Sequence, residues 1–275
     1  VAAIFRICVT IVILASAAVV SADPVGYSSR WLSNFCRFDL ATGTIEYVGT
    51  IEPDVVVVGL AFTPDGSLYG IDPGNDRLMV IDLTTGAGTA VGNLGVDVGE
   101  FVDLGVQRNG NLWLFDSQSA GLYRIDRGTG ALTLMCQADP AAEAKGLVIR
   151  NDQFYVLAPD SDPAPGCNLT PFLGFGPNSA YTPLYPEMGP GGMAYVWADN
   201  FWGGGLLLKL DLDTGEFTTT GVGGWGPEYG GFLGSAFPPS ALQTPSVPTL
   251  GVPAIVVMGV LVCLFGVFIL RRRSL

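Results

Sequence analysis

Asp82-Leu83-Thr84-Thr85-Gly86 is the stretch whose reading decides the fold. The form Asp-x-x-Thr-Gly returns at Asp39-Leu40-Ala41-Thr42-Gly43, Asp126-Arg127-Gly128-Thr129-Gly130 and Asp211-Leu212-Asp213-Thr214-Gly215. Asp39, Asp82 and Asp126 follow one another at a regular interval, and Asp211 stands two such intervals beyond Asp126, so a degenerate copy is expected near position 169, where Asn168-Leu169-Thr170 stands. An internal period of this length is the mark of a repeat architecture. The repeated aspartates are read as side chains that hydrogen-bond the backbone of their own turn, not as reacting groups.

Working outward from Asp82, the unit reads as short strands. Val58-Gly59-Leu60-Ala61-Phe62 leads to Pro64-Asp65-Gly66, then Leu68-Tyr69-Gly70-Ile71, a polar turn, Leu78-Met79-Val80-Ile81, the Asp82 turn, and residues 88–91. The next unit repeats the order, with Asn109-Gly110 at its first turn and Leu112-Trp113-Leu114-Phe115 after it. Asp-Gly and Asn-Gly between apolar runs are hairpin signals, because both residues tolerate the positive φ of a tight turn. Four strands in about 43 residues is the arithmetic of a propeller blade. The expected fold is therefore all-β, a β-propeller of about five four-stranded antiparallel blades spanning residues 23–240. In architecture it is similar to secreted propellers with NHL-like or Kelch-like units. Residues 35–48 and 231–237 are expected to complete one blade together, which removes open sheet edges. A sixth blade is possible only if residues 159–190 hide further strands.

Tyr69, Trp113, Tyr155 and Trp197 keep the same period in the second strand of each unit, and are expected to pack between neighbouring sheets. Residues 159–190 hold eight of the 19 prolines, with Phe172, Phe175, Tyr181 and Tyr185. Part of that segment is expected to leave its blade and run over a face, since proline withholds a ladder donor. Aromatics on such a loop suit contact with a polysaccharide or an envelope protein.

The ends of the chain differ from its body. Residues 7–20 are apolar apart from Thr10 and Ser16, Arg6 precedes them, and Val20-Ser21-Ala22 offers small residues for cleavage, so residues 1–22 are expected to be a signal peptide forming a helix. Residues 241–250 form a linker ending in Val247, Pro248, Thr249 and Leu250. Residues 251–270 follow as an apolar transmembrane helix, and residues 271–275 form a basic cytoplasmic tail with Arg271, Arg272 and Arg273. The seventeen residues 254–270 span roughly 25 Å as a helix. This tripartite tail resembles the PEP-CTERM sorting signals, in the variant that begins Ile/Val-Pro-Thr-Leu. The variant also carries a Trp-Gly pair after the leucine, and here the positions read Gly251-Val252-Pro253-Ala254. The resemblance implies an exosortase-like membrane protease as partner and delivery to the envelope or extracellular matrix of a Gram-negative bacterium. A plain inner-membrane anchor is the alternative.

Composition narrows the chemistry. The chain has no histidine, which excludes Ser-His-Asp and Cys-His catalysis and histidine-ligated zinc. Its formal net charge is −12, and four of its basic residues (Arg6, Arg271, Arg272, Arg273) lie in the apolar ends, where no acid does. The body is thus strongly acidic, which repels nucleic acid. Carboxylate chemistry of the glycosidase type is the one catalytic route left, and a non-catalytic binding or scaffold domain is the favoured reading. No cofactor is expected. Calcium is the one ion worth weighing, at Asp72, Asn75 and Asp76, at Asp97, Glu100 and Asp103, and at Asp160 and Asp162, none with the EF-hand spacing. Outside the apolar ends stand Cys36, Cys136 and Cys167, which allow one disulfide; Cys136 with Cys167 is the preferred pair, and Cys36 with either is open.

Overall fold

The Asp-x-x-Thr-Gly turns form as their residue types require. Asp82 Oδ1 accepts from the Thr84 amide (2.9 Å), the Thr85 amide (2.7 Å) and the Thr85 hydroxyl (2.9 Å), while the Gly86 amide donates to the Asp82 carbonyl at 2.8 Å. These bonds, the Thr85 amide first, hold the Asp82 carboxyl below the usual carboxylate range. Asp39, Asp126 and Asp211 accept the same pair of turn amides. A short acceptor side chain gives the backbone a partner where the ladder stops, so the chain reverses there.

The structure is a computed structural model that describes residues 25–30, 33–52, 54–138, 145–158, 167, 169–173, 182–200, 204–223 and 232–239. The expected signal peptide, sorting motif, transmembrane helix and basic tail lie outside the described residues. Among the described residues, no helix is long and apolar enough to cross a membrane.

The strands fall into five sheets. The first blade joins β1 (Val25–Arg30), β2 (Asn34–Asp39) and β3 (Ile45–Thr50) to the last strand, β19 (Phe232–Ala236), in the order β19-β1-β2-β3. The second holds β4 (Val58–Phe62), β5 (Leu68–Asp72), β6 (Arg77–Ile81) and β7 (Gly88–Asn93). The third holds β8 (Val102–Val106), β9 (Leu112–Asp116), β10 (Gly121–Ile125) and β11 (Leu132–Gln137). The fourth has β12 (Lys145–Arg150), β13 (Gln153–Ala158) and β14 (Leu169–Leu173), and the fifth β15 (Thr182–Met188), β16 (Ala194–Asn200), β17 (Gly204–Leu210) and β18 (Phe217–Gly223). The inner strands β19, β4, β8, β12 and β15 neighbour one another in a closed ring.

Four features differ from the expectation. The chain enters through three strands rather than two, because Val25-Gly26-Tyr27-Ser28-Ser29-Arg30, without an apolar run, pairs with β2 on one side and β19 on the other. Among the described residues the fourth blade is three-stranded, and β14 runs parallel to β13, with Leu169 in register with Phe154. Leu169 and Thr170, which stand where a degenerate turn is expected, therefore lie in a strand. Pro171, Pro183 and Pro186 also lie in strands, and proline fits there because β14 is the outermost and β15 the innermost strand of its sheet, where one side of the ladder has no partner to supply.

Five apolar clusters fill the five seams between blades. Tyr69, Trp113 and Trp197 each pack into the seam facing the next blade, and Tyr155 packs partly there. Tyr27, one period before Tyr69, does the same for the first blade and stacks on Phe35 at 5.5 Å. Burying one such side chain is worth about 1.5–3 kcal/mol, so the aromatic repeat serves the seams.

The outer ends of the seams close by backbone contact. The outer strands β3, β7 and β11 each have a bulge, which Gly49 borders in β3 and Gly92 in β7. A Cβ on Gly49 would overlap the Thr85 carbonyl oxygen, and one on Gly92 the Thr129 carbonyl oxygen, so the next blade's turn sits directly on the glycine. Backbone bonds flank the contacts, Gly88 N to Ile51 O at 2.7 Å and Leu132 N to Leu94 O at 2.9 Å. In β11 the residue bordering the bulge is Cys136, and it is joined by a disulfide to Cys167, Cα atoms 5.5 Å apart. The bond stands where the described residues of the fourth blade offer no such turn. The fourth and fifth blades are instead linked at their rims by the Arg150–Asp213 ion pair.

Two outcomes are expected. Gly92→Val should cost about 2–3 kcal/mol of stability by overpacking the turn contact, while Thr89→Val on the exposed side of the same strand should cost little; equal denaturation midpoints for the two would refute the contact. Removing the 31-residue crosslink with Cys136→Ala and Cys167→Ala together should cost about 3–4 kcal/mol by loop entropy, read as the shift in urea midpoint.

Candidate functional site

The acids singled out for calcium are not brought together. Asp72 is buried at the end of β5, where its carboxylate accepts from Arg77 Nε at 2.6 Å and Asn75 Nδ2 at 2.8 Å, and Arg77 also reaches Glu52 at 2.9 Å. Its Oδ2 is thus shared by a guanidinium and an amide. Asp76 Oδ1 accepts from the Val98 amide at 3.1 Å. Asp97 and Glu100 are exposed while Asp103 is buried on the inner strand β8. Among the described residues, no three acidic or sulfur-bearing side chains converge as a metal site needs. Asp160 and Asp162, and the sorting residues Val247 to Leu250 and Arg271 to Arg273, lie outside the described residues. Cys36 is buried with a free thiol, which burial pushes up in pKa.

The most unusual polar arrangement lies at the ring's centre. Each inner strand contributes one residue to this region: Gly59, Asp103, Gly146, Glu187 and Gly234. The signal was present in the sequence, since the first four keep the period of the turn aspartates to within a few positions. It was hidden because Asp103 reads as part of an acidic loop and Glu187 as part of the proline-rich segment. Asp103 is 3% exposed; its Oδ1 accepts from the Leu104 amide at 2.9 Å and its Oδ2 from the Leu147 amide of the next blade at 3.0 Å. Glu187 accepts from the Met188 amide and keeps some contact with solvent, although protein surrounds its carboxyl on most sides. Burial drives both carboxyls well above the usual range, and for Glu187 the Asp103 charge adds to the rise. The backbone amides oppose the shift in both cases without cancelling it.

A second feature is a surface cleft of about 240 Å³ at the seam of the fifth and first blades, lined by Leu40, Ala41, Tyr195, Lys209 and Thr220. Its polar groups are few. The Thr220 hydroxyl is committed to the Leu207 carbonyl at 2.7 Å, and burial raises the Tyr195 phenol. One ammonium and one phenol beside apolar walls suit a small polar group, with no carboxylate among the lining residues.

No family model matches the chain, and no curated protein sequence does. In fold it is similar to a chain of a nidogen/laminin complex, with TM-score 0.52 and 14% identity, covering 79% of this chain and 98% of that one. TolB from Acinetobacter baumannii aligns at TM-score 0.44 and 12% identity, covering 83% and 70%. Virginiamycin B lyase from Staphylococcus aureus aligns at 0.42 and 16%, covering 74% and 68%. At these identities a likeness speaks to fold alone, and only the first is close enough to carry weight. The chain is an all-β, five-bladed β-propeller with mostly four-stranded antiparallel blades.

Proposed function

We propose that this chain is an exported, non-catalytic protein of the cell envelope or extracellular matrix, whose propeller binds or scaffolds matrix material of the polysaccharide class. Val247, Pro248, Thr249 and Leu250, with the apolar run and Arg271, Arg272 and Arg273, act as its sorting signal for an exosortase-like membrane protease. The observation that carries the non-catalytic reading is that the repeated chemistry-bearing residues are spent on the fold. The turn aspartates accept backbone amides, and the regular aromatics fill seams. The absence of histidine supports the same reading, as does the acidic body, which disfavours nucleic acid.

Sorting is tested by intact mass of the protein recovered from its native host. The envelope form should lack residues 254–273, and changing Pro248 and Thr249 together should leave an uncleaved, membrane-held form, because Pro248 keeps Val247 out of helical geometry and the segment open to a protease. Recovery of the wild-type chain with its span intact would favour a permanently anchored, protein-interaction module. Ligand class is tested by a glycan-array screen. Saturable binding to acidic-poor polysaccharides without turnover is expected, and release of shortened oligosaccharides would instead favour a carboxylate-based enzyme.

A further inference from the structure

The seam between the fifth and first blades is built from the same parts as its neighbours and closes differently. Gly221 in β18 stands at the same distance from Gly215 as Gly49 does from Gly43 and Gly92 from Gly86. A Cβ on Gly49 or Gly92 would overlap the facing turn, whereas one on Gly221 would meet nothing within 4 Å. The facing turn here is Leu40-Ala41-Thr42-Gly43. A Cβ on Gly43 would stand 3.4 Å from the Gly221 carbonyl oxygen, while one on the equivalent Gly130 would come within 2.6 Å of the Gly92 carbonyl oxygen. The turn of the first blade therefore stands off from β18. The cleft of about 240 Å³ lined by Leu40, Ala41, Tyr195, Lys209 and Thr220 is the seat it leaves open.

The groups around that seat are fixed in place by the fold. Tyr195 and Lys209 are cross-strand partners in β16 and β17, so both side chains lie on one face of the fifth blade. That face meets the first blade, since Tyr195 packs on Phe237 at 4.7 Å. A Cβ on Gly189 would overlap the Tyr195 ring, so bare backbone lies against it as well. The Thr220 hydroxyl donates to the Leu207 carbonyl at 2.7 Å and accepts from the Val222 amide at 3.2 Å. Lys209 and Tyr195 are thus the groups a ligand can use. The ion pairs among the described residues engage Arg37, Arg77, Arg127 and Arg150, and not Lys209.

This chemistry selects an occupant. An ammonium with no carboxylate beside it, in a chain of net charge −12, is completed by one carboxylate from a ligand through a charge-assisted hydrogen bond. The phenol serves a hydroxyl next to that carboxylate, and Leu40 and Ala41 offer an apolar wall. A space below the roughly 300–1,000 Å³ of a drug-sized site takes one sugar ring and not a run of them. The field of the acidic body repels a densely charged polyanion, so the carboxylate has to arrive on an otherwise uncharged polymer.

We propose that this cleft binds a single uronate unit, at the end or on a branch of a largely neutral polysaccharide, with Lys209 on its carboxylate, Tyr195 on a ring hydroxyl and Leu40 against its C–H face. The site rests on the polysaccharide reading of the propeller and narrows its class.

The test is a ligand-observed NMR titration of the full chain in detergent with methyl β-glucuronide, methyl β-glucoside and N-acetylglycine. The glucuronide should bind with a Kd on the order of 1 mM, and the glucoside about tenfold more weakly. Lys209→Met, which keeps the apolar stem, should weaken the glucuronide about tenfold, and Tyr195→Phe about fivefold. Ala41→Trp should abolish binding by filling the seat. Arg124→Met makes the same charge change at an exposed position of the third blade and should leave binding unchanged. Tyr195→Phe removes one oxygen only, so its readout stands even if Ala41→Trp fails to fold. Equal affinity for glucuronide and glucoside, or a glucuronide affinity unmoved by Lys209→Met, would overturn the proposal. Preference for N-acetylglycine would also overturn it, by giving the cleft to a peptide carboxylate. If the glucuronide fails to bind while whole polysaccharides still do, the uronate site falls and the polysaccharide reading stands; if polysaccharides fail as well, both fall.

Discussion

The pairing of β19 with β1 is the interaction on which the ring depends. Tyr27, Ser28 and Ser29 lie opposite Ala236, Ser235 and Gly234, and the Ser28 hydroxyl donates to the Gly234 carbonyl at 2.8 Å. Without that ladder the first blade is a three-stranded sheet with an unfilled inner edge, the β15 and β4 seams lose their common neighbour, and Phe237 leaves the cluster it forms with Phe38, Tyr195 and Trp197. Every other blade is local in sequence. This one joins residues more than two hundred positions apart, so its loop-closure entropy is the largest in the molecule and must be met by the sum of the seams.

Once the ring is closed, each seam repeats one recipe with local substitutions. An aromatic from the second strand fills the middle, a turn rests on a bulge glycine at the rim, and an aspartate cap holds that turn in shape. Where the described residues hold no such turn, the rim is covalent, through Cys136 and Cys167. Where it is too far to touch, a guanidinium and a carboxylate reach across. A similar exchange of parts is seen on the surface, where Asp65 of one hairpin pairs with Arg127 of the next turn at 2.9 Å, while Arg150 of a hairpin pairs with Asp213 of the next turn in reversed polarity. Exposed pairs of this kind add little stability, so they fix register more than they hold the blades together.

Most of this was legible because the period is carried by residues with strong local physics. Asp82 and its counterparts cap their own turns, and the Asp-Gly and Asn-Gly hairpins set strand lengths before any tertiary contact forms. β1 was not legible, since Val25-Gly26-Tyr27-Ser28-Ser29-Arg30 owes its strand conformation to neighbours on both sides and to no periodicity of its own. β14 escaped for a related reason: a parallel partner is chosen by long-range packing, and Leu169-Thr170-Pro171 carries no local sign of it. At the axis, the meaning of Asp103 and Glu187 depends on the glycines of three other blades. Such a site exists only after the ring closes, and no window of sequence contains it.

The same closure sets how the molecule bears load. Val25 begins β1 beside the point where β19 ends, so the two chain ends of the propeller leave from neighbouring positions on one blade. Tension applied across those ends would open the β1–β19 ladder one hydrogen bond at a time, like a zip, instead of shearing all of them at once. A pull delivered through the segment after β19 alone, against material gripped elsewhere on the ring, meets the inner strand first. Traction is therefore met first at the strand that completes the ring, and shedding β19 takes with it the common neighbour of the β4 and β15 seams.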